Sequence, residues 1–243
     1  MHNWLIARHT ITLLNVFTRS RHAPYSDAAF VHENDELSYV SAMRLREDEL
    51  FVRRITQDLP KGSKSNLRMA DLNLKDAPIR LRCTAEAVCN TPVNPADPAI
   101  EKIRKALTQR SESGAMEALV LPAALGSHVD HLTVREAALP FTSARPTAFY
   151  EDLPWAATQP NPAADLETLR TTAPEDSLSP VLCQADSFVE RKRNLVLGYA
   201  SQVDAETGDV ISSFASRYGE GERLWANRSW CVIAEAERLS VPE

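Results

Sequence analysis

Residues 124–139 read ALGSHVDHLTVREAAL, directly after the apolar run EALVLPAAL at 117–125. A short apolar run that ends at glycine and gives way to helical spacing reads as a buried strand turning into a helix. In open α/β sheets the chemistry gathers beyond the carboxyl ends of the strands. His128, Asp130 and His131 occupy such an end. Ser127 is the expected helix cap, which places the two histidines three apart at the helix start. The positive end of the helix dipole favours the neutral, metal-binding imidazole, and Asp130 can hold a ring in one tautomer. A metal ion needs about three protein ligands, so the cluster raises the question of the other two. Two surface histidines at a helix start are the plain alternative.

Working outward, strands and helices alternate. ITLLNVF (11–17) reads as a strand buried on both faces, and the polar stretch TRSRHAPYSD (18–27) as the loop at its end. SYVSAMRLREDELFVRRI (38–55) is an amphipathic helix, with Val40, Met43 and Phe51 on one face. NLRMADLNL (66–74) is the next strand. Residues 84–100, with Pro92, Pro95 and Pro98, read as an irregular insertion. AIEKIRKALTQRSES (99–113) is a helix, TAFYEDLP (147–154) a strand with a polar exit, and PNPAADLETLRTTAPEDS (160–177) a surface segment. LSPVLCQAD (178–186) is a strand and SFVERKRNLVLGYASQ (187–202) a helix starting at Ser187. GERLWANRSWCVIAEAE (221–237) adds a last strand or an irregular cap. This alternation, without internal repeats, predicts a single α/β domain over 1–243: a mainly parallel sheet with helices on both faces.

Composition narrows the function classes. The chain has 243 residues, 44% hydrophobic and 25% charged, with a formal net charge of −6. An acidic balance argues against a nucleic-acid partner, and the run Arg191-Lys192-Arg193 reads as a solvated helix face. The four cysteines show no paired metal spacing and read as reduced thiols. No apolar run reaches the ~20 residues of a membrane span, and there is no signal-peptide layout. The expectation is a cytoplasmic protein. With seven glycines and neither GxGxxG nor GxxxxGK[ST], a nucleotide-binding reading is poor. Oligomeric state is not legible.

Five stretches together resemble the PIG-L (LmbE-like) family of zinc-dependent N-deacetylases: PAALGSHVDHLTVREAAL (122–139), FYEDLPWA (149–156), VSAMRLREDE (40–49), LKDAPIRL (74–81) and RKRNLVLGYASQ (191–202). The third carries the family's R-x-x-E at Arg44 and Glu47, the fourth its Asp-Ala-Pro-x-Arg at 76–80, and the last its Tyr-x-Ser-Gln. The resemblance implies a Rossmann-like three-layer sandwich that removes an acetyl group from an N-acetylated amino sugar or glycoside. It implies His131 as a zinc ligand and His128 as the group that stabilises or protonates the tetrahedral intermediate. Asp130 would orient its neighbours, and Arg44, Asp76 and Tyr150 would face the substrate. In that chemistry zinc polarises the amide carbonyl and lowers the pKa of its water to ~7.

The sequence departs from the family in one respect. The His-Pro-Asp-Asp motif that supplies the other zinc ligands and the general base is absent. MHNWLIARHT (1–10) reads as the back half of the helix that follows that motif, which would put the first strand and its catalytic turn upstream of Met1. His22 and His32 lie at the correct sheet edge, but HENDE (32–36) reads better as a solvated acidic loop. One imidazole cannot hold zinc, so residues 1–243 are expected to bind no zinc and to be inactive. The alternative is a metal-free carbohydrate-binding relative that keeps the pocket without the reaction.

Overall fold

The computed structural model describes residues 1–158, 162–172, 178–184, 188–219 and 221–233. In chain order the elements are α1 (His2–Ile6), β1 (Ile11–Asn15), α2 (Glu33–Thr56), β2 (Leu67–Asp71), α3 (Ala77–Arg80), α4 (Pro98–Glu112), β3 (Leu119–Pro122), α5 (Val129–Ala138) and β4 (Thr147–Tyr150). They continue with α6 (Trp155–Thr158), α7 (Pro162–Thr172), β5 (Ser179–Gln184), α8 (Phe188–Val196), α9 (Ala205–Ser216) and β6 (Gly221–Ala226). Two compact units result: Met1–Ala85 with Ala185–Glu220, and Glu86–Gln184 with Gly221–Glu243. No helix among the described residues is long and apolar enough to cross a membrane.

The first unit holds a two-stranded parallel sheet, β1 beside β2, with Ile11 opposite Leu67 and Asn15 opposite Asp71. Its core is Leu5, Ile55, Leu59 and Leu67, with Ile11, Leu13, Phe51 and Leu195 packed around them. Helix α2 starts earlier than its apolar face suggested. His32 is the cap residue, and Glu33, Asp35 and Glu36 fill the first turn, where carboxylates complement the positive end of the helix dipole. The HENDE run is therefore a helix start rather than a loop. Helices α8 and α9 pack together. Gly208 permits it, because a methyl group there would stand 2.9 Å from the Leu197 side chain.

The second unit holds a four-stranded sheet ordered β3-β4-β6-β5. The β3/β4 pair is parallel, whereas β6 runs antiparallel to both β4 and β5. Helix α5 packs on β3 and on α4, burying Val129, Ile103, Leu121 and Phe149. Helix α4 begins at Pro98, with the Asp97 carboxylate accepting from the Ala99 amide at 2.9 Å. Proline at the first helical position and aspartate at the cap are strong starting signals.

Several expectations change. One mainly parallel sheet was expected; the described strands form two sheets, and the larger has two antiparallel pairings out of three. The cause is β6, which returns late in the chain and inserts between β4 and β5. ITLLNVF was expected to be buried on both faces, yet β1 pairs only with β2 and Thr12 is exposed. The segment expected to lie at the surface, 160–177, contains α7, and its Leu169 is fully buried; residues 160, 161 and 173–177 lie outside the described residues. Ser187, the expected start of the next helix, also lies outside them, and α8 is described from Phe188.

Candidate active site

The histidine turn is built on a strained loop. Between β3 and α5, Ala124, Gly126 and Ser127 adopt φ of 57°, 87° and 57°. Glycine takes this left-handed region freely, but each L-residue there is disfavoured by about 1–2 kcal/mol. Three side chains hold the loop in place. Asp152 accepts from the Leu125 amide at 3.1 Å. Asp165, in the first turn of α7, accepts from the Gly126 amide at 2.7 Å and from the Ser127 hydroxyl at 2.9 Å. The buried Arg135 donates to the Ala123 carbonyl at 2.5 Å. Burial pulls that guanidinium below its ordinary pKa, while the carboxylates of Asp152, Asp165 and Glu136 oppose the shift.

His128, not Ser127, caps α5: its Nδ1 accepts the Asp130 amide at 3.2 Å. Ser127 cannot cap because its left-handed backbone turns its hydroxyl to Asp165. One turn on, His131 Nδ1 lies 2.6 Å from an oxygen of Asp152, whose side chain is fully buried. The carboxylate fixes His131 with its proton on Nδ1, leaving the lone pair on Nε2. For neutral His128 the assignment is reversed, since an Nδ1 that accepts leaves the proton on Nε2. The ring centroids are 4.9 Å apart, and Trp155 meets both edge-on, at 4.7 Å from His128 and 5.0 Å from His131. Two half-buried imidazoles thus share one aromatic wall.

The other expected site residues fall in both units. Asp130 is buried beside His128. Tyr150 ends β4 and is 38% exposed. In the first unit, Arg44 is half-buried on α2. Asp76 is 6% exposed, and its Oδ1 has no hydrogen-bond partner among the described residues. Glu47, next to Arg44 in the R-x-x-E pattern, has a structural task. It accepts from the Ser201 amide at 2.7 Å, the Ser201 hydroxyl at 2.8 Å and the Gln202 amide group at 3.4 Å. Tyr199 donates to Asp48 at 2.9 Å, so the R-x-x-E and Tyr-x-Ser-Gln stretches interlock. Arg223 pairs with the buried Glu151 at 2.6 Å.

Sequence reading missed Asp165 and Arg135. Asp152 carried a signal in YEDLP. Asp165 carried none, since it reaches the turn from 38 residues away. Zinc, the ion the resemblance implies, does not fit these side chains. His131 offers one ligand atom, and among the described residues no group of three His, Cys, Asp or Glu side chains is placed to hold a metal.

No family model matches the chain, and no curated protein matches it. Solved structures do. The chain is similar to the zinc-inhibited form of teicoplanin deacetylase Orf2, at 20% identity and a TM-score of 0.64, covering 93% of this chain and 91% of that one. It is similar to a deacetylase–teicoplanin complex at 20% identity and a TM-score of 0.62, with coverages of 93% and 90%. The deacetylase of the A40926 pseudoaglycone, Dbv21, follows at 17% identity and 0.59, with coverages of 94% and 90%. The fold of this chain is the α/β fold of these solved deacetylases.

Proposed function

We propose that residues 1–243 form one deacetylase domain that hydrolyses the N-acetyl group of an amino sugar or glycoside. The reading rests on His131, whose ring Asp152 orients, and on the His128 ring beside it, carried on a fold shared with deacetylases. His131 Nε2 takes a proton from water as the water oxygen attacks the amide carbonyl carbon. Asp152 stabilises the imidazolium that forms, and His128 stabilises the negative charge that develops on the carbonyl oxygen. The proton held by His131 passes to the departing nitrogen, the C–N bond breaks, and acetate and the free amine leave. Asp130 holds His128 at the helix start. Tyr150, in the same unit as the two histidines, binds the sugar, and Arg44 and Asp76 are polar groups of the first unit suited to a ligand. The buried Oδ1 of Asp76, an acceptor lacking a donor among the described residues, suits a group that a ligand hydroxyl completes. His131 is also the residue the resemblance gives to zinc, but no step is routed through a metal that the donor set does not fit.

A second reading, a metal-free carbohydrate-binding protein without turnover, is favoured by the lack of a three-ligand group among the described residues. Acetate release from 4-nitrophenyl N-acetyl-β-glucosaminide, measured with chelator and with added zinc, separates the two. Release that survives chelator and is abolished in His131→Ala supports the imidazole mechanism. Release only with about one zinc per chain keeps the deacetylase but makes His131 a ligand. Calorimetric binding without release selects the binding protein, and neither binding nor release sinks both readings.

A further inference from the structure

We infer that Asp165 is a positioning residue that sets the His128 ring through the left-handed turn. Its two oxygens hold consecutive residues, the Gly126 amide and the Ser127 hydroxyl, and both residues have positive φ. Ser127 precedes His128, so the backbone that Asp165 fixes is the backbone from which the His128 side chain leaves. Asp152 does the corresponding work for its own partners, Leu125 and His131. The labour is divided between two carboxylates: Asp152 aligns the His131 ring and Asp165 the His128 ring. The buried Arg135 guanidinium, electrostatically coupled to both, balances their charge. Backbone amides in left-handed turns form concavities that suit anions; here the anion is a side chain delivered by α7.

Removing the carboxylate leaves two donors without their acceptor and a turn with less to hold it left-handed. His128 would then lose its place beside Trp155, while His131 stays tied to Asp152. The effect on turnover rests on the deacetylase reading; the effect on ring placement does not. The test uses the full chain as parent, Asp165→Ala, Asp165→Asn and Ser127→Ala, with imidazole ¹H–¹⁵N correlation spectra beside acetate-release kinetics. In Asp165→Ala the His128 ring signals move or broaden while the His131 signals hold, and kcat falls about tenfold with KM within about twofold. Asp165→Asn keeps one acceptor oxygen for Gly126, and its amide can donate to the Ser127 oxygen, so kcat returns to within about threefold of the parent.

Unmoved His128 signals in Asp165→Ala, or an Asp165→Asn as impaired as the alanine variant, overturn the inference. If Asp165→Ala does not fold, Ser127→Ala decides, since it deletes one of the two bonds: His128 signals that shift alone support the inference, and unshifted ones overturn it. If the parent releases no acetate, the deacetylase reading falls and the ring signals alone decide the role of Asp165.

Discussion

Glu47 and Asp152 are both buried carboxylates that gather groups distant in sequence, and they differ in where the resulting network ends. Glu47 collects the amide and hydroxyl of Ser201 and the side chain of Gln202. Every group in that set is satisfied by another part of the chain, so the network closes on itself and ties α2 to the segment after α8. Asp152 collects the Leu125 amide and His131 Nδ1, and the ring it holds keeps a lone pair on Nε2. One carboxylate finishes a structure; the other prepares an atom for something else. Both belong to stretches that resemble the same family, so the motif match alone cannot tell them apart. The destination of the hydrogen bonds can.

The largest effect expected from this contrast is on stability. Glu47→Ala should destabilise the protein by about 3 kcal/mol in denaturant unfolding, because buried donors lose a charged acceptor. Glu47→Gln, which keeps one acceptor oxygen, should lose about half as much. Asp152→Ala should instead show its main effect in turnover: acetate release about 10–100-fold lower, with a stability loss nearer 1–2 kcal/mol for the stranded Leu125 amide. Equal stability losses with unchanged turnover in Asp152→Ala would erase the distinction.

A pH experiment sharpens the closed side of the comparison. Burial raises the Asp48 carboxyl above its ordinary pKa; the Tyr199 hydrogen bond and Arg44 oppose this, and Asp71 and Glu47 add to it. A raised folded-state value means that the fold prefers Asp48 protonated. Its contribution is most favourable below the unfolded-state value near 3.8 and is lost as pH rises through the folded value. Asp48→Asn removes that dependence, and the Asn15 amide, now a donor to Asp48 at 2.9 Å, can turn its oxygen to the new NH2. The variant's stability relative to the parent should be best near about pH 7 and decline toward about pH 4. A flat difference across that range would show that Asp48 is not held in a desolvated site.

What the sequence disclosed follows from how local each signal is. The strand-to-helix passage at 117–139, the long amphipathic α2 and the proline-led α4 were legible because period, cap and length lie within one window. Helix α9 had comparable signals in its Asp204 cap and in Ile211, Phe214 and Ala215, and went unread. Helix α7 was hidden by its polar, proline-led start, although proline at the first turn and Asp165 after it are helix-start features. The strand order was not legible, because β6 joins β4 and β5 by long-range pairing that no window contains. The site divides the same way. HVDH announced itself by spacing, and YEDLP marked Asp152, whereas Asp165 and Arg135 matter through contacts made only in the folded chain.

The smallest effect probes whether strain separates the open network from ordinary structure. Ala124 and Ala137 are both almost wholly buried, the first at φ 57° in the histidine turn and the second inside α5. Changing either to glycine removes one buried methyl, worth about 0.8 kcal/mol, and loosens the unfolded chain by about 0.4–1 kcal/mol. In α5 nothing offsets those losses. In the turn, glycine also relieves the left-handed penalty of about 1–2 kcal/mol. Ala124→Gly should therefore be more stable than Ala137→Gly by about 1 kcal/mol or more in parallel unfolding experiments. Equal losses would mean that the turn holds its shape without strain, and the three side chains anchoring it would then be ordinary loop contacts.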